Sequence, residues 1–266
     1  MKVLPQPVEC AVVIAAGAGT RLRETSNDDT VVKPATLLLG VPILIRTLRT
    51  LFDEGVGEAV VVTGYRSSEV EDLLAGSWRP IGRSVRFVHN PEWPLKNGLS
   101  VLAAREAVGN RGFFLSMADH VYDGAVVRRL RSAPPSAGEI VLAVDGRVDE
   151  VSDPEDAMWV RLDGDGRIKD IGKSLVVYDA VDTGVFLSTS ALFEALAAER
   201  DERGGDCALA DGVRRLAASG CARTIDIGDA WWQDVDTRAN LEAAERKLVA
   251  AADAVAQAPN AGVGGG

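Results

Sequence analysis

The chain has 266 residues, with 39 acidic against 29 Lys and Arg, for a formal net charge of −10. So acidic a surface repels phosphate backbones and excludes nucleic acid as the expected partner, yet a cationic cleft can still gather a small phosphorylated ligand. The three cysteines (Cys10, Cys207, Cys221) have no disulfide or zinc spacing and no stretch is long enough to span a membrane. The expectation is therefore a cytoplasmic protein with no membrane insertion.

Residues 10–16 (CAVVIAA) form a short β-branched apolar run that stops at Gly17-Ala18-Gly19, the pattern of a buried parallel strand entering a glycine turn. Helical spacing over Ile43–Asp53 ends at Gly55, and Glu58–Gly64 is the next strand. A short helix over Ser67–Leu74, a strand over Ser84–Val88, a helix over Gly98–Val108 and a strand over Gly112–Ala118 follow, the last closed by Asp119-His120. This β-α-β-α rhythm predicts an α/β fold with a parallel sheet and helices on both faces. Ligands then sit beyond the carboxyl ends of the strands, where both the glycine turn and Asp119-His120 fall.

The second half changes character. Strands are expected over Ile140–Val144, Met158–Leu162, Arg167–Ile171 and Ala180–Leu187, with Asp163-Gly164-Asp165-Gly166 as a hairpin turn; the spacing and terminal glutamate of a calcium loop are lacking. Helices over Ser190–Glu199 and Ala208–Ala218, a strand over Ala222–Ile227, a Trp-rich segment and a helix from Arg238 to about Val255 complete the chain. One domain is expected over residues 1–258. It divides into a nucleotide-binding half (10–120), an acceptor-binding half (121–236) and a C-terminal helix (237–257), with 259–266 as a disordered tail.

The strongest chemical signal is the run Ala15-Ala16-Gly17-Ala18-Gly19-Thr20-Arg21-Leu22, with Lys33-Pro34 after it. Glycines let backbone N–H groups approach a phosphate, and Arg21 and Lys33 supply cations for a triphosphate. Leu22 stands where a dinucleotide fingerprint needs its third glycine, and no P-loop pattern is present. Lysine stands at only six positions, so a compact point charge is rare in this chain; Lys33 falls inside the glycine-run motif, while Lys173, after a strand and a glycine, reads by itself as a solvated loop lysine.

Together with Gly40-Val41-Pro42-Ile43-Leu44, the glycine run resembles the signature of the sugar-phosphate nucleotidyltransferase superfamily. The resemblance implies a Rossmann-like, mostly parallel mixed sheet flanked by helices, with a smaller inserted β-sheet, in a GT-A-like nucleotidyltransferase fold. Residues 116–122, 171–173, 178–184 and 232–237 narrow the likeness to the CTP:inositol-1-phosphate cytidylyltransferases. In many relatives that domain is fused to a membrane-embedded CDP-alcohol phosphotransferase. Here any such enzyme is expected to be a separate protein acting downstream.

The resemblance implies Mg²⁺ held by Asp119 and Asp236. Asp234 is a nearby alternative, and an N-cap is the plainer account of Asp236. It implies nucleotide contacts from Ala15, Ala16, Gly17, Gly19, Thr20, Arg21 and Lys33. Gly98 and Ser100 would read the cytosine edge, although a helix N-cap at Asn97 explains the same segment. Lys173, His120 and Asp182 fall in the acceptor site. Asp182, mid-strand in an apolar stretch, needs a partner such as a sugar hydroxyl or Lys173. Trp231-Trp232 reads as packing.

The expected reaction is CTP plus inositol-1-phosphate to CDP-inositol and pyrophosphate, with Arg21, Lys33, Asp119, Lys173 and Asp236 as the catalytic set. Rivals are a phosphocholine or phosphonate cytidylyltransferase, a sugar-1-phosphate nucleotidyltransferase and a non-catalytic nucleotide-binding regulator. A homodimer is left open.

Overall fold

The structure is a computed structural model that describes residues 8–257 apart from 29, 31 and 79; the expected disordered tail lies outside the described residues. In the first half, β1 (Cys10–Ala15), α1 (Thr20–Ser26) and a 3₁₀ turn (Lys33–Ala35) lead to β2 (Leu37–Leu38), β3 (Val41–Pro42) and α2 (Ile43–Asp53). Then come β4 (Glu58–Thr63), α3 (Ser67–Ser77), β5 (Ser84–His89), α4 (Asn97–Ala103), α5 (Arg105–Val108) and β6 (Phe113–Met117). The second half runs β7 (His120–Tyr122), α6 (Gly124–Ser132), β8 (Ile140–Asp145), β9 (Trp159–Leu162), β10 (Ile168–Gly172) and β11 (Ala180–Ser188). It closes with α7 (Ala191–Glu202), α8 (Leu209–Ala218), β12 (Ala222–Asp226), β13 (Trp232–Asp234) and α9 (Arg238–Gln257).

Among the described residues the main sheet has nine strands, in the order β10-β9-β11-β6-β1-β4-β5, with β8 on β11 and β12 on β8. Strands β1, β4, β5, β6, β8, β9 and β12 run one way and only β10 and β11 oppose them, so the mixed, mostly parallel expectation holds. The strands after Ile140 extend this main sheet rather than forming a sheet of their own. The small sheets are the pairs β2–β3 and β7–β13.

β1 shows why both faces are covered. Its side chains alternate, Cys10, Val12 and Ile14 packing on one face and Ala11, Val13 and Ala15 on the other. The first face takes α4, α7 and α8 through Leu99, Phe193, Leu196 and Val213, with Phe113 stacked on Phe193 at 4.8 Å. The second takes α2 and α6 through Leu44, Leu48, Leu51, Val127 and Leu130. Each such side chain contributes roughly 1.5–3 kcal/mol by leaving water.

Two local expectations change. The helix foreseen over Gly98–Val108 is interrupted at Ala104 and becomes α4 and α5. Asn97 is not the N-cap of α4; its Oδ1 accepts from the N–H of Leu209 at 2.9 Å and so serves the start of α8. The 163–166 turn, by contrast, is a hairpin as expected: Asp163 N–H donates to Arg167 O at 2.9 Å, and Gly166 sits at φ +73°.

Candidate active site

Two neighbouring parallel strands, β1 and β6, end side by side, and the glycine loop and Asp119 follow from those ends. At Gly17 a Cβ would meet nothing within 4 Å, so the loop lies open to an approaching group. Gly19 is needed twice. It sits at φ +63°, and a Cβ there would stand 2.7 Å from Lys33 Cβ. The loop thus rests on the lysine, which is 8% exposed. Ala15 and Ala16 are buried beneath it; Thr20 is exposed and opens α1.

The ribbon β7–β13 carries the acids. His120 pairs with Asp234, and Val235 N–H donates to Asp119 O at 3.0 Å, which sets Asp119, Asp234 and Asp236 side by side from points over a hundred residues apart in sequence. A small cluster of Leu38, Ile43, Val121, Val235 and Ala244 fixes the ribbon against α2 and α9. Asp236 is not an N-cap. Thr237 fills that role, exchanging hydrogen bonds with Asn240 (Thr237 N to Oδ1 3.0 Å, Asn240 N to Oγ1 3.2 Å), which leaves the Asp236 carboxylate to the site.

Lys33 Nζ donates to Asp119 Oδ2 at 2.5 Å and also to Asp236. Arg21 pairs with Asp236 and, at 2.6 Å, with Asp156. Asp156 in turn pairs with Lys173. Burial opposes charge on Lys33, but Asp119 and Asp236 outweigh it and hold the ammonium well above its usual pKa. Burial likewise raises Asp119, yet the Lys33 and His120 charges bring it below the usual carboxylate range. Asp234 moves the other way, raised by burial and by the Asp236 and Asp119 charges, with His120 opposing.

The acceptor-side residues line a cavity of about 310 Å³ together with Arg21, Asp156, Asp234 and Asp236. The pairing of β11 with β8 shifts register between Asp182 and Phe186, and Gly184 sits there at φ +73°. That irregularity turns Thr183 O onto His120 Nδ1 at 2.7 Å and lets Asp182 accept from Gly184 N–H at 2.7 Å. A Cβ on Gly184 would lie 2.3 Å from His120 Nδ1. His120 stacks on Trp232 at 5.9 Å. Burial lowers its pKa, but Asp119, Asp234 and the Thr183 carbonyl raise it further, so the net is upward. Burial pushes Asp182 up to about 6 against its Gly184 hydrogen bond.

Arg21, Lys33, Asp119, Asp236 and His120 thus come together as the sequence suggests. Lys173 does not meet Asp182; its partner is Asp156. Gly98 and Ser100 are committed to packing. A Cβ on Gly98 would lie 2.5 Å from Cys207 O, and the buried Ser100 hydroxyl accepts from Asn90 Nδ2 at 3.0 Å. Trp232 packs, as expected, but it also lines the cavity and donates its Nε1–H to Asp145 at 2.9 Å. Sequence reading missed Asp156, which looks like one more acid in a surface turn, and Arg147, Gln233 and Lys247, which also line the cavity.

The acids fit a hard divalent cation. One oxygen from each of Asp156, Asp234 and Asp236 lies within 4.8 Å of the others. Asp119 is not one of these three; it meets Asp236 across the Lys33 ammonium that both accept from. Asp119 Oδ1 and Asp234 Oδ1 are buried without a hydrogen-bond partner, a costly state that an oxygen-preferring ion would relieve.

Glycine loop, buried lysine and clustered aspartates at the strand ends define a nucleotidyltransferase domain. The chain belongs to the MobA-like NTP transferase domain family, whose model matches residues 11–219. It is 40% identical over 242 residues to a bifunctional IPC transferase and DIPP synthase of Rubrobacter xylanophilus, covering 90% of this chain and 52% of that protein. A CMP-5'-(3-aminopropyl)phosphonate synthase of Streptomyces rubellomurinus is 36% identical over 244 residues, 85% of this chain and 36% of that protein. The chain therefore spans about half or less of the length of these curated relatives. Among solved structures, the inositol-1-phosphate CTP transferase from T. maritima superposes with a TM-score of 0.78 at 27% identity, over 92% of this chain and 98% of that one. No helix among the described residues is long and apolar enough to cross a membrane.

Proposed function

We propose that the domain transfers the cytidylyl group of CTP to inositol-1-phosphate, giving CDP-inositol and pyrophosphate, with Mg²⁺ held by Asp119 and Asp236. The observation that carries this is the convergence of Lys33, Arg21, Asp119 and Asp236 beside a glycine loop open to approach, next to a cavity bearing Lys173, His120 and Asp182. The choice of CTP and a polyol phosphate leans on the relatives' names.

In this reading an oxygen of the acceptor phosphate attacks the α-phosphorus in line. The bond from α-phosphorus to the β-bridging oxygen breaks, and pyrophosphate leaves with its electron pair. A phosphate monoester is already ionised at neutral pH, so no general base is required and the work is neutralisation and alignment. The divalent ion, when bound, supplies charge neutralisation to the phosphate oxygens. Lys33 and Arg21 hold the triphosphate and balance the leaving group, and Lys173 binds the acceptor phosphate. Asp182 accepts from acceptor hydroxyls, and His120, fixed by Thr183 O and Trp232, shapes that pocket. Ala15, Ala16, Gly17, Gly19 and Thr20 form the triphosphate cradle. A CDP-alcohol phosphotransferase would consume the product.

The aminophosphonate relative keeps a second acceptor open: an ammonium would suit Asp182 as well as a hydroxyl does. A pyrophosphate-release screen crossing CTP, UTP, GTP, ATP and dTTP with inositol-1-phosphate, phosphocholine, an aminoalkylphosphonate and hexose-1-phosphates tests the reading. CTP with inositol-1-phosphate should give the highest kcat/KM. Preference for another pair would replace the substrates, and no release with any pair would remove the activity.

A further inference from the structure

Asp156 touches both halves of the site at once. It lies in the turn before β9, with its own N–H 3.3 Å from Asp153 O. Its carboxylate accepts from Arg21 Nη2 at 2.6 Å and from Lys173 Nζ. Arg21 comes from the first turn of α1 and Lys173 from the end of β10, so one side chain ties the glycine-loop side to the acceptor side. Among the described residues, Lys173 Nζ has no other hydrogen bond or ion pair. Both cations line the cavity and remain about half exposed to solvent, 42% for Arg21 and 51% for Lys173, and are open to an arriving anion.

A carboxylate oxygen and a phosphate oxygen accept from the same guanidinium and ammonium donors. A lysine on an exposed loop with no partner would spread over many rotamers and lose alignment. We propose that Asp156 is a positioning residue that sets the spacing of Arg21 and Lys173 and holds their charge until phosphate oxygens of the two substrates take it over. This rests on the reading above, in which Arg21 faces the nucleotide phosphates and Lys173 the acceptor phosphate. Asp156 is thereby a competitor for both substrates and an aid to the transferring step. Removing its charge should separate those effects in opposite directions.

The test compares the wild-type chain with Asp156→Asn and Asp156→Glu. Calorimetry reads binding of inorganic pyrophosphate without metal, steady-state kinetics reads transfer, and thermal unfolding reads stability. For Asp156→Asn, pyrophosphate should bind roughly threefold to tenfold tighter, since one repelling charge near the cations is gone. Its kcat should fall by roughly tenfold or more, with neither KM raised. Asp156→Glu should recover part of kcat. The proposal is overturned if pyrophosphate affinity and kcat stay within about twofold, if only the melting temperature moves, if the wild-type chain binds no pyrophosphate, or if Asp156→Asn loses Mn²⁺ affinity by roughly tenfold, which would make Asp156 a cation ligand with Asp234 and Asp236 instead. Should no substrate pair support transfer while pyrophosphate binds, the functional reading fails by itself and the affinity comparison still decides the role of Asp156.

Discussion

Replacing Lys33 by Met keeps the length and apolar stem of the side chain and deletes only the ammonium. That ammonium is what Asp119 and Asp236 share, and the residue is 8% exposed. Without it two carboxylates face each other in a largely dry site, and Asp119 Oδ1 already lacks a partner. Breaking a buried pair by removing one member costs about 3–5 kcal/mol. In a chain of this size that corresponds to a melting temperature lower by about 10 °C. A divalent cation can supply the missing charge, so Mg²⁺ should raise the melting temperature of Lys33→Met more than that of the wild type. Transfer should not recover alongside stability: loss of one contact to developing charge costs roughly 10²–10³ in rate. Thermal unfolding in chelator and in Mg²⁺, with pyrophosphate release on the same samples, reads both effects. An unchanged melting temperature in chelator, or wild-type turnover, would refute the shared-cation argument.

Two further substitutions follow from the geometry. In the metal-free protein, Asp182 has a folded pKa of about 6 against an ordinary value of 3.8, so its protonated form is favoured by folding. That contribution is fully present below the unfolded value and is lost as pH rises to about 6 and beyond, a change of about 3 kcal/mol in total. Asp182→Asn should therefore gain stability relative to wild type between pH 4 and pH 8 in chemical denaturation; a difference that stays flat with pH would contradict the burial argument. Gly19→Ala places a Cβ 2.7 Å from Lys33 Cβ at φ +63°. It should cost about 1–2 kcal/mol from the backbone alone and depress transfer through displacement of Lys33. Full activity in that variant would mean the loop does not rest on the lysine.

Most of the sheet was legible because its strands are short apolar runs closed by glycine or acid, and Ile43–Asp53 carries its apolar face at plain helical spacing. The elements that escaped are short or amphipathic: α1, α6 and the ribbons β2–β3 and β7–β13. The two residues of β2 and the three of β7 are too short for periodicity to show. The register of β7 on β13 joins His120 to Asp234 and is a long-range fact. Arg21, Lys33, Asp119 and Asp236 were readable because each sits in a motif. Asp156 does not: its meaning comes from Arg21, 135 positions earlier, and no local pattern encodes that contact. Of the partners the sequence leaves open for Asp182, Lys173 is taken by Asp156. Lys173 follows β10 and Asp182 lies in β11, but the acid that Lys173 meets comes from the turn ahead of β9, across the β9–β10 hairpin. Asn97 looked like a cap for its own helix and caps another because α8 approaches closely enough to take its side chain.

In the proposed function Asp119 and Asp236, far apart in the chain, hold one divalent cation. Titration of Mn²⁺ by electron paramagnetic resonance into wild-type protein, Asp119→Asn and Asp236→Asn tests it without any substrate. Saturable binding is expected in the wild type, weakened roughly tenfold or more by each single substitution. Wild-type Mn²⁺ affinity in both variants would contradict it.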